Sequence, residues 1–69
     1  MGRFLEALKV TEEASRQLPE DAVVYEHLGD IYFALNNLEK ARAAYAKSLQ
    51  LKPDNTGVRD KLEKLAGQR

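Results

Sequence analysis

Few side chains in this chain could carry acid–base or nucleophilic chemistry. His27 is the only histidine, and cysteine is absent. A hydrolytic triad could combine His27 and Asp30 with a serine. Neither Ser15 nor Ser48, however, stands at the Gly-rich or strained turn that exposes a nucleophile. A zinc site would need several carboxylates beside this histidine, which is an unusual ligand set. We therefore predict no catalytic residue, no metal ligand and no cofactor.

Two carboxylates give a clearer local signal. Glu26 and Asp30 lie four residues apart and would share one face of a helix. They could form an acid–base pair, bind a cation, or be solvated as ordinary surface residues. Because like charges at this spacing mildly destabilise an isolated helix, their presence hints at a use.

A small basic patch lies near the C-terminus at Arg59, Lys61 and Lys64. Asp60 and Glu63 interrupt it, so the pattern favours a solvated helix face over a nucleic-acid-binding surface. The whole chain balances 11 basic residues against 11 acidic ones. It therefore has no net charge that would attract nucleic acid or an anionic membrane.

The length of the chain limits the size of its core. At 69 residues it is one domain or part of one, near the lower limit for a stable core. No apolar run approaches the roughly 18 residues of a membrane span, and the start lacks the apolar block of a signal peptide. We expect no membrane partner. The absence of cysteine excludes a disulfide framework but assigns no compartment.

Apolar residues recur at three- and four-residue steps in four segments, which is the spacing of amphipathic helices. Prolines, an Asn-Asn pair and a turn cluster separate the segments. The predicted helices are residues 1–18, 22–35, 38–51 and 58–66. The residues expected to face inward from the two central helices are Val24, Tyr25, Leu28, Ile31, Tyr32, Leu35, Leu38, Ala41, Tyr45, Ser48, Leu49 and Leu51.

Several features recur at a fixed interval in the sequence. The interval from Pro19 to Pro53 also separates Ala7 from Ala41, and we call it the repeat interval. Gly29, in the middle of a predicted helix, costs about 1 kcal/mol relative to alanine and needs a packing reason. The absence of a side chain there would let two helices approach closely.

The central stretch, residues 22–55, resembles one unit of the tetratricopeptide repeat family. That pattern has an aromatic residue, Leu-Gly, Tyr, Ala, a second aromatic residue and Pro at fixed positions over roughly 34 residues. The residues that carry the resemblance are Tyr25, Leu28, Gly29, Tyr32, Ala41, Tyr45 and Pro53.

The resemblance implies an all-α fold of antiparallel helix–turn–helix repeats, here an α-solenoid fragment of four helices in a single domain, 1–69. Residues 1–18 would be the second helix of a partial repeat, residues 22–55 a complete repeat, and residues 56–66 a capping helix. In the last helix Glu63 replaces the glycine and Arg59 replaces the aromatic residue, as expected for a polar cap.

The resemblance also implies a scaffold that binds a peptide or a partner protein and has no catalysis of its own. Members of the family line their concave surface with first-helix residues. The corresponding residues here are Val23, Glu26, Asp30, Phe33 and Ala34. Phe33 is the sharper signal, because it lies off the core stripe and exposed aromatic residues often mark contacts. Relatives that clamp an acidic peptide tail use lysine and asparagine on this surface, so we expect a partner with Lys or Arg beside an apolar anchor.

The first helix raises an alternative, because its own repeat supplies no partner for it. Phe4, Leu5, Leu8 and Thr11 would leave part of an apolar face in water. Either the chain is the end of a longer array, or this face is an oligomer interface. The second reading predicts a homodimer or a helix-exchanged oligomer.

Overall fold

The computed structural model describes residues 2–67 and contains four α-helices there. They are α1 (Gly2–Gln17), α2 (Ala22–Ala34), α3 (Leu38–Leu51) and α4 (Thr56–Ala66). The predicted all-α fold is confirmed, and the helix ends differ from prediction by at most two residues within this range. The predicted helical start at residue 1 and residues 68–69, which follow the last predicted helix, lie outside the described residues. None of the helices in 2–67 is long and apolar enough to cross a lipid bilayer.

Side-chain caps fix where three of the helices begin. The Asp21 carboxylate accepts hydrogen bonds from the backbone amides of Val23 and Val24 at 3.0 and 3.3 Å. Asn37 and Asn55 each accept one such bond from the amide three residues later. Each cap satisfies amides that have no partner within the helix, which makes these helix starts well defined.

The turn between α2 and α3 depends on one residue in the left-handed region. Asn36 has φ of 62°, a conformation that asparagine tolerates better than most residues. Its amide and that of Asn37 donate to Phe33 and Tyr32 carbonyls at the end of α2. The expectation that the Asn-Asn pair ends the helix is confirmed.

The turns that precede α2 and α4 contain the same hydrogen bonds, displaced by the repeat interval. The Asp21 amide donates to the Leu18 carbonyl at 3.1 Å, and the Asn55 amide donates to the Lys52 carbonyl at 3.2 Å. The residues that cap α2 and α4 are themselves separated by this interval. The period read from the prolines is therefore also a period of backbone geometry.

The helices pack in chain order, α1 on α2, α2 on α3 and α3 on α4, and the core lies between the last three. Ala44 is buried although it was not among the residues expected to face inward. The apolar residues of the core are Leu28, Tyr32, Ala41, Ala44, Tyr45, Val58 and Leu65.

Candidate functional site

The five residues predicted to bind a ligand lie on one side of α2. Val23 and Phe33 are large apolar side chains that remain 54 % and 47 % exposed, and Ala34 is exposed beside them. Glu26 and Asp30 are half-buried. The helical period brings all five to a common surface, with the two carboxylates between the two apolar residues.

Lys61 of α4 reaches across to this surface and pairs with both carboxylates. Its Nζ lies 3.1 Å from Glu26 Oε2 and 3.0 Å from Asp30 Oδ1. The expectation of a solvated basic face on the last helix is therefore wrong for Lys61. Glu26 and Asp30 are not open acidic groups, because they already hold an ammonium group from the same chain.

The hydroxyl of Tyr45 in α3 donates a third hydrogen bond, also to Asp30 Oδ1. The Lys61 ammonium in addition lies 5.7 Å from the centre of the Tyr45 ring, within range of a cation–π interaction. Asp30, Tyr45 and Lys61 thus join α2, α3 and α4 through polar contacts above the apolar core. We call these residues, with Glu26, the Lys61 network.

The raised pKa values of Lys61 and Tyr45 stabilise the protonated forms of both residues in the Lys61 network. Burial by itself would lower the pKa of Lys61, but the hydrogen bonds to Asp30 and Glu26 outweigh it and raise that pKa. Burial, and then the hydrogen bond to Asp30, raises the pKa of Tyr45. Lysine therefore stays charged and tyrosine stays neutral at ordinary pH.

Beside the network is a depression of about 330 Å³. Its lining combines apolar side chains with both lysines of α4, and consists of Asp30, Phe33, Tyr45, Lys61, Lys64 and Leu65. The sequence pattern found Asp30 and Phe33 but did not place α4 at this surface. The opposite charges on α2 and α4 were the sequence feature that could have predicted the pairing of Lys61 with Glu26 and Asp30. Only the packing of α4 on α3 brings these charges together.

The two serines considered for catalysis donate hydrogen bonds to backbone carbonyls. Ser48 is fully buried, and its hydroxyl donates to the Ala22 carbonyl at 2.8 Å. The Ser15 hydroxyl donates to the Glu12 carbonyl within its own helix at 2.7 Å, and His27 is exposed. The structure does not bring either serine together with His27 and Asp30 through hydrogen bonds. In the described part of the chain, no group of three or more histidine, aspartate or glutamate residues could hold a metal ion.

The predicted interface residues of α1 have unequal exposure. Phe4 and Leu5 are 45 % and 57 % exposed, whereas Leu8 and Thr11 are half-buried, with Leu8 against the core. The sequence pattern missed Val10, which at 69 % exposed presents more of its surface than either. Of the predicted residues, Phe4 and Leu5 are therefore exposed, Leu8 and Thr11 are less so, and Val10 is an exposed apolar residue that was not predicted.

A hydrogen bond fixes α1 on α2. The Tyr32 hydroxyl donates to Glu12 Oε2 at 2.5 Å. Burial, followed by this contact with Glu12, raises the pKa of Tyr32 to about 12. The arrangement orients one face of α1 towards α2 and leaves the opposite face, with Val10, in solvent.

Consecutive helices that pack in chain order, with turns repeating at a fixed interval, define a helical-repeat protein. The family model described as "Tetratricopeptide repeat" matches residues 22–55, which comprise α2, α3 and the turns around them. These residues are a tetratricopeptide repeat. No curated protein and no solved structure matches the chain. Repeats of this family generally act as non-enzymatic scaffolds for protein–protein interaction.

Proposed function

We propose that the chain is a protein-binding scaffold, without catalysis of its own, that takes a peptide segment on the surface formed by Val23, Glu26, Asp30, Phe33 and Ala34. The observation that carries the proposal is the position of Lys61. Its ammonium group lies about equally close to Glu26 and Asp30, beside an exposed Phe33. The carboxylate pair therefore has the geometry to hold a primary ammonium group.

A partner with a lysine or arginine could use the same two carboxylates by displacing or sharing with Lys61. An apolar side chain next to that basic residue would fill the depression between Phe33, Tyr45 and Leu65. Charge-assisted hydrogen bonds would set the register, and the buried apolar group would supply most of the affinity. Lys61 would therefore compete with the basic residue of the partner for Glu26 and Asp30.

A display library of random peptides tests the proposal directly. Peptides selected on the wild-type chain should be enriched in Lys or Arg next to an aliphatic or aromatic residue. Phe33→Ser and the double variant E26Q/D30N should each weaken the selected peptides about tenfold or more. Lys61→Met should strengthen them, because it frees the carboxylates. Glu39→Gln, an exposed change on α3, is the matched control and should have no effect.

Selected peptides that ignore Phe33, Glu26 and Asp30 alike would contradict the choice of surface. Peptides that lose affinity for Phe33→Ser but bind E26Q/D30N as they bind wild type would support the choice of surface. They would contradict the expectation of a basic residue in the partner. Circular dichroism of each variant separates lost binding from lost folding.

The domain organisation that accompanies this proposal treats α1 as the second helix of a preceding repeat and α4 as a capping helix. The hydrogen bonds that recur at the repeat interval, in the turns before α2 and α4, support it. Deletion of residues 56–69 tests the role of α4. It should expose the apolar surface around Tyr45 and lower the unfolding temperature, whereas an unaltered transition would contradict a capping role.

A second candidate function is self-association through α1, which would give a homodimer or a helix-exchanged oligomer. The exposure of Phe4, Leu5 and Val10 on α1 favours it. Light scattering over a concentration series tests it, with Phe4→Glu expected to reduce the association. An unchanged mass in that variant would exclude Phe4 from the interface.

A further inference from the structure

The exposed face of α1 corresponds residue by residue to a face of α3 that is buried. Besides Tyr45, three residues of α3 are at most 6 % exposed on the side where α2 packs: Ala41, Ala44 and Ser48. Moving back by the repeat interval gives Ala7, Val10 and Ala14 on α1. Val10 is 69 % exposed, and the two alanines are only half-buried. α1 therefore has the helix-binding face of α3 without a helix on it.

The opposite end of the stack has the complementary property. α4 follows α3 as α2 follows α1, with a side-chain cap at the corresponding residue and the same turn hydrogen bonds. It packs on α3 through Val58 and Leu65, which are 0 % and 3 % exposed. The residues of α4 that correspond to the α3-facing side of α2 include Arg59 and Glu63, and both are exposed. α4 therefore has the free face through which α2 contacts α3.

We propose that copies of this chain associate head to tail, with the exposed face of α4 in one copy packing on the exposed face of α1 in the next. The contact repeats between chains the arrangement of α2 on α3 within the chain. It rests on self-association through α1, as in the candidate above, but joins α1 to α4 of the next copy rather than to a second α1. The polar outer face of α4 is then an interface rather than a cap.

The sizes of the facing residues agree with this docking. Within the chain, Gly29 faces the Tyr45 ring, and a Cβ on the glycine would lie 2.5 Å from the ring. The corresponding residues between copies are Glu63 on α4 and Thr11 on α1. A large residue replaces the glycine, and a small residue replaces the tyrosine. The total volume at the crossing point is kept, which is how facing helices accommodate each other.

The charges agree as well. Within the chain the Lys47 ammonium lies 5.9 Å from the centre of the Tyr25 ring, so these two side chains meet across the α2–α3 interface. Their counterparts between copies are Glu13 on α1 and Arg59 on α4. These have opposite charges and both are exposed in the single chain, where Glu13 already pairs with Arg16 at 2.8 Å, so that docking would add a second cation beside the Glu13 carboxylate. Head-to-tail packing therefore brings a carboxylate and a guanidinium together at its edge.

Because the two surfaces differ, each copy keeps one of each free after docking. Such heterologous contacts extend without closing unless a rotation forms a ring. The average mass should therefore rise continuously with concentration. A symmetric contact of α1 with α1 would instead reach a plateau at the dimer.

Sedimentation velocity from micromolar to millimolar concentration tests the proposal on the intact chain. Wild type should show a mass that exceeds the dimer and continues to rise. Val10→Arg should remain monomeric with an unchanged circular dichroism spectrum, because this side chain is mostly in solvent. Glu39→Gln, an exposed change on α3 outside both surfaces, is the control and should associate as wild type does.

A charge exchange identifies the partner surfaces. Glu13→Arg and Arg59→Glu should each weaken association by about tenfold, because each places like charges together. An equimolar mixture of the two variants should recover it, since every contact in an alternating stack then pairs opposite charges. The double variant E13R/R59E should also recover it.

Three outcomes would overturn the proposal: a monomer at all concentrations, a plateau at the dimer, or a mixture that associates no better than either variant alone. The peptide-binding proposal is tested separately from the association proposal. It depends on Phe33, Glu26 and Asp30, whereas association depends on Val10, Glu13 and Arg59.

Discussion

The ring of Tyr45 occupies the space in which Gly29 would otherwise have a side chain. A Cβ built on Gly29 would lie 2.5 Å from Tyr45 Cε1 and 2.6 Å from Cδ1. Both residues are buried, and the Tyr45 hydroxyl continues past the glycine to Asp30 on the same helix. This contact determines how closely α2 and α3 approach.

Gly29→Ala should therefore destabilise the chain although alanine is the better helix former. The gain of about 1 kcal/mol in helix propensity opposes an overpacking cost of roughly 1–3 kcal/mol. We expect a net loss of about 1 kcal/mol, measured as the free energy of unfolding in urea. Gly57→Ala is the control, since a Cβ there meets only Asn55 Oδ1 at 3.4 Å. It should be neutral or slightly stabilising, and a stabilised Gly29→Ala variant would contradict the packing argument.

The sequence predicted a close approach of two helices at Gly29, because a glycine within a helix has a cost that packing must justify. It did not identify Tyr45 as the residue that occupies the space. The positions of the helices followed in the same way from the apolar period, the prolines, the Asn-Asn pair and the turn cluster. These signals are local in sequence, so one chain is enough to read them.

The Lys61 network could not be read in this way. The spacing of Glu26 and Asp30 showed that they share a helix face, but Lys61 lies more than thirty residues later in the chain. Whether it is solvated depends on the angle at which α4 packs on α3, which local patterns do not fix. The burial of Ala44 and the exposure of Val10 have the same origin, since neighbouring helices decide them.

Asn36 permits a test of backbone strain in the turn between α2 and α3. Its φ of 62° is accessible to glycine at no steric cost, whereas a residue with a Cβ has a cost of roughly 1–2 kcal/mol. Asn36→Gly should therefore be neutral or stabilising, and Asn36→Ala should lower the thermal midpoint. Equal midpoints in the two variants would show that the turn relaxes out of the left-handed region.

Two serines with different hydrogen-bond partners form a matched pair for mutation. The buried Ser48 hydroxyl links α3 to the Ala22 carbonyl of α2, and Ser15 bonds only within its own helix. Ser48→Ala should cost about 1 kcal/mol, as expected for loss of a buried interhelical hydrogen bond. Ser15→Ala should be within about 0.5 kcal/mol of wild type, because alanine favours the helix. Urea unfolding of both variants measures the difference, and equal effects would contradict it.

Alkaline pH should destabilise the folded chain, because it deprotonates Tyr32, Tyr45 and Lys61. The folded-state pKa of Tyr32 is about 12 against 10.0 for the free side chain, and the pKa values of Tyr45 and Lys61 are also raised. Each group holds its proton more tightly when folded, so its contribution to stability is complete below the unfolded pKa. That contribution is lost as pH rises through the folded value. The urea midpoint should therefore be level to about pH 10 and fall between about pH 10 and 12.

Absorbance of the phenolate follows the same titration. Tyr32→Phe removes one of the three titrating groups and should flatten the fall of the urea midpoint with pH. A midpoint that does not change across this range would contradict the raised pKa values.

Lys61 and Lys64 lie on the same helix, but only Lys61 belongs to the Lys61 network. Substituting each lysine separately therefore compares a charge in the network with a charge outside it. Lys61 pairs with Glu26 and Asp30, whereas Lys64 forms no ion pair with another residue in the range 2–67. Lys61→Met removes the cation and leaves two carboxylates four residues apart without compensation. Because the Lys61 side chain is 41 % exposed, solvent screening limits the expected loss to roughly 1 kcal/mol. Lys64→Met should change the free energy of unfolding by less than about 0.5 kcal/mol.

High salt provides the electrostatic control, since it screens partly exposed charge pairs. The difference in stability between wild type and Lys61→Met should narrow as the salt concentration rises. A difference that stays constant in salt would indicate that the charge pairs of Lys61 contribute little to holding α4 in place. Equal effects of Lys61→Met and Lys64→Met on the free energy of unfolding would show that the Lys61 network does not contribute to the packing of α4.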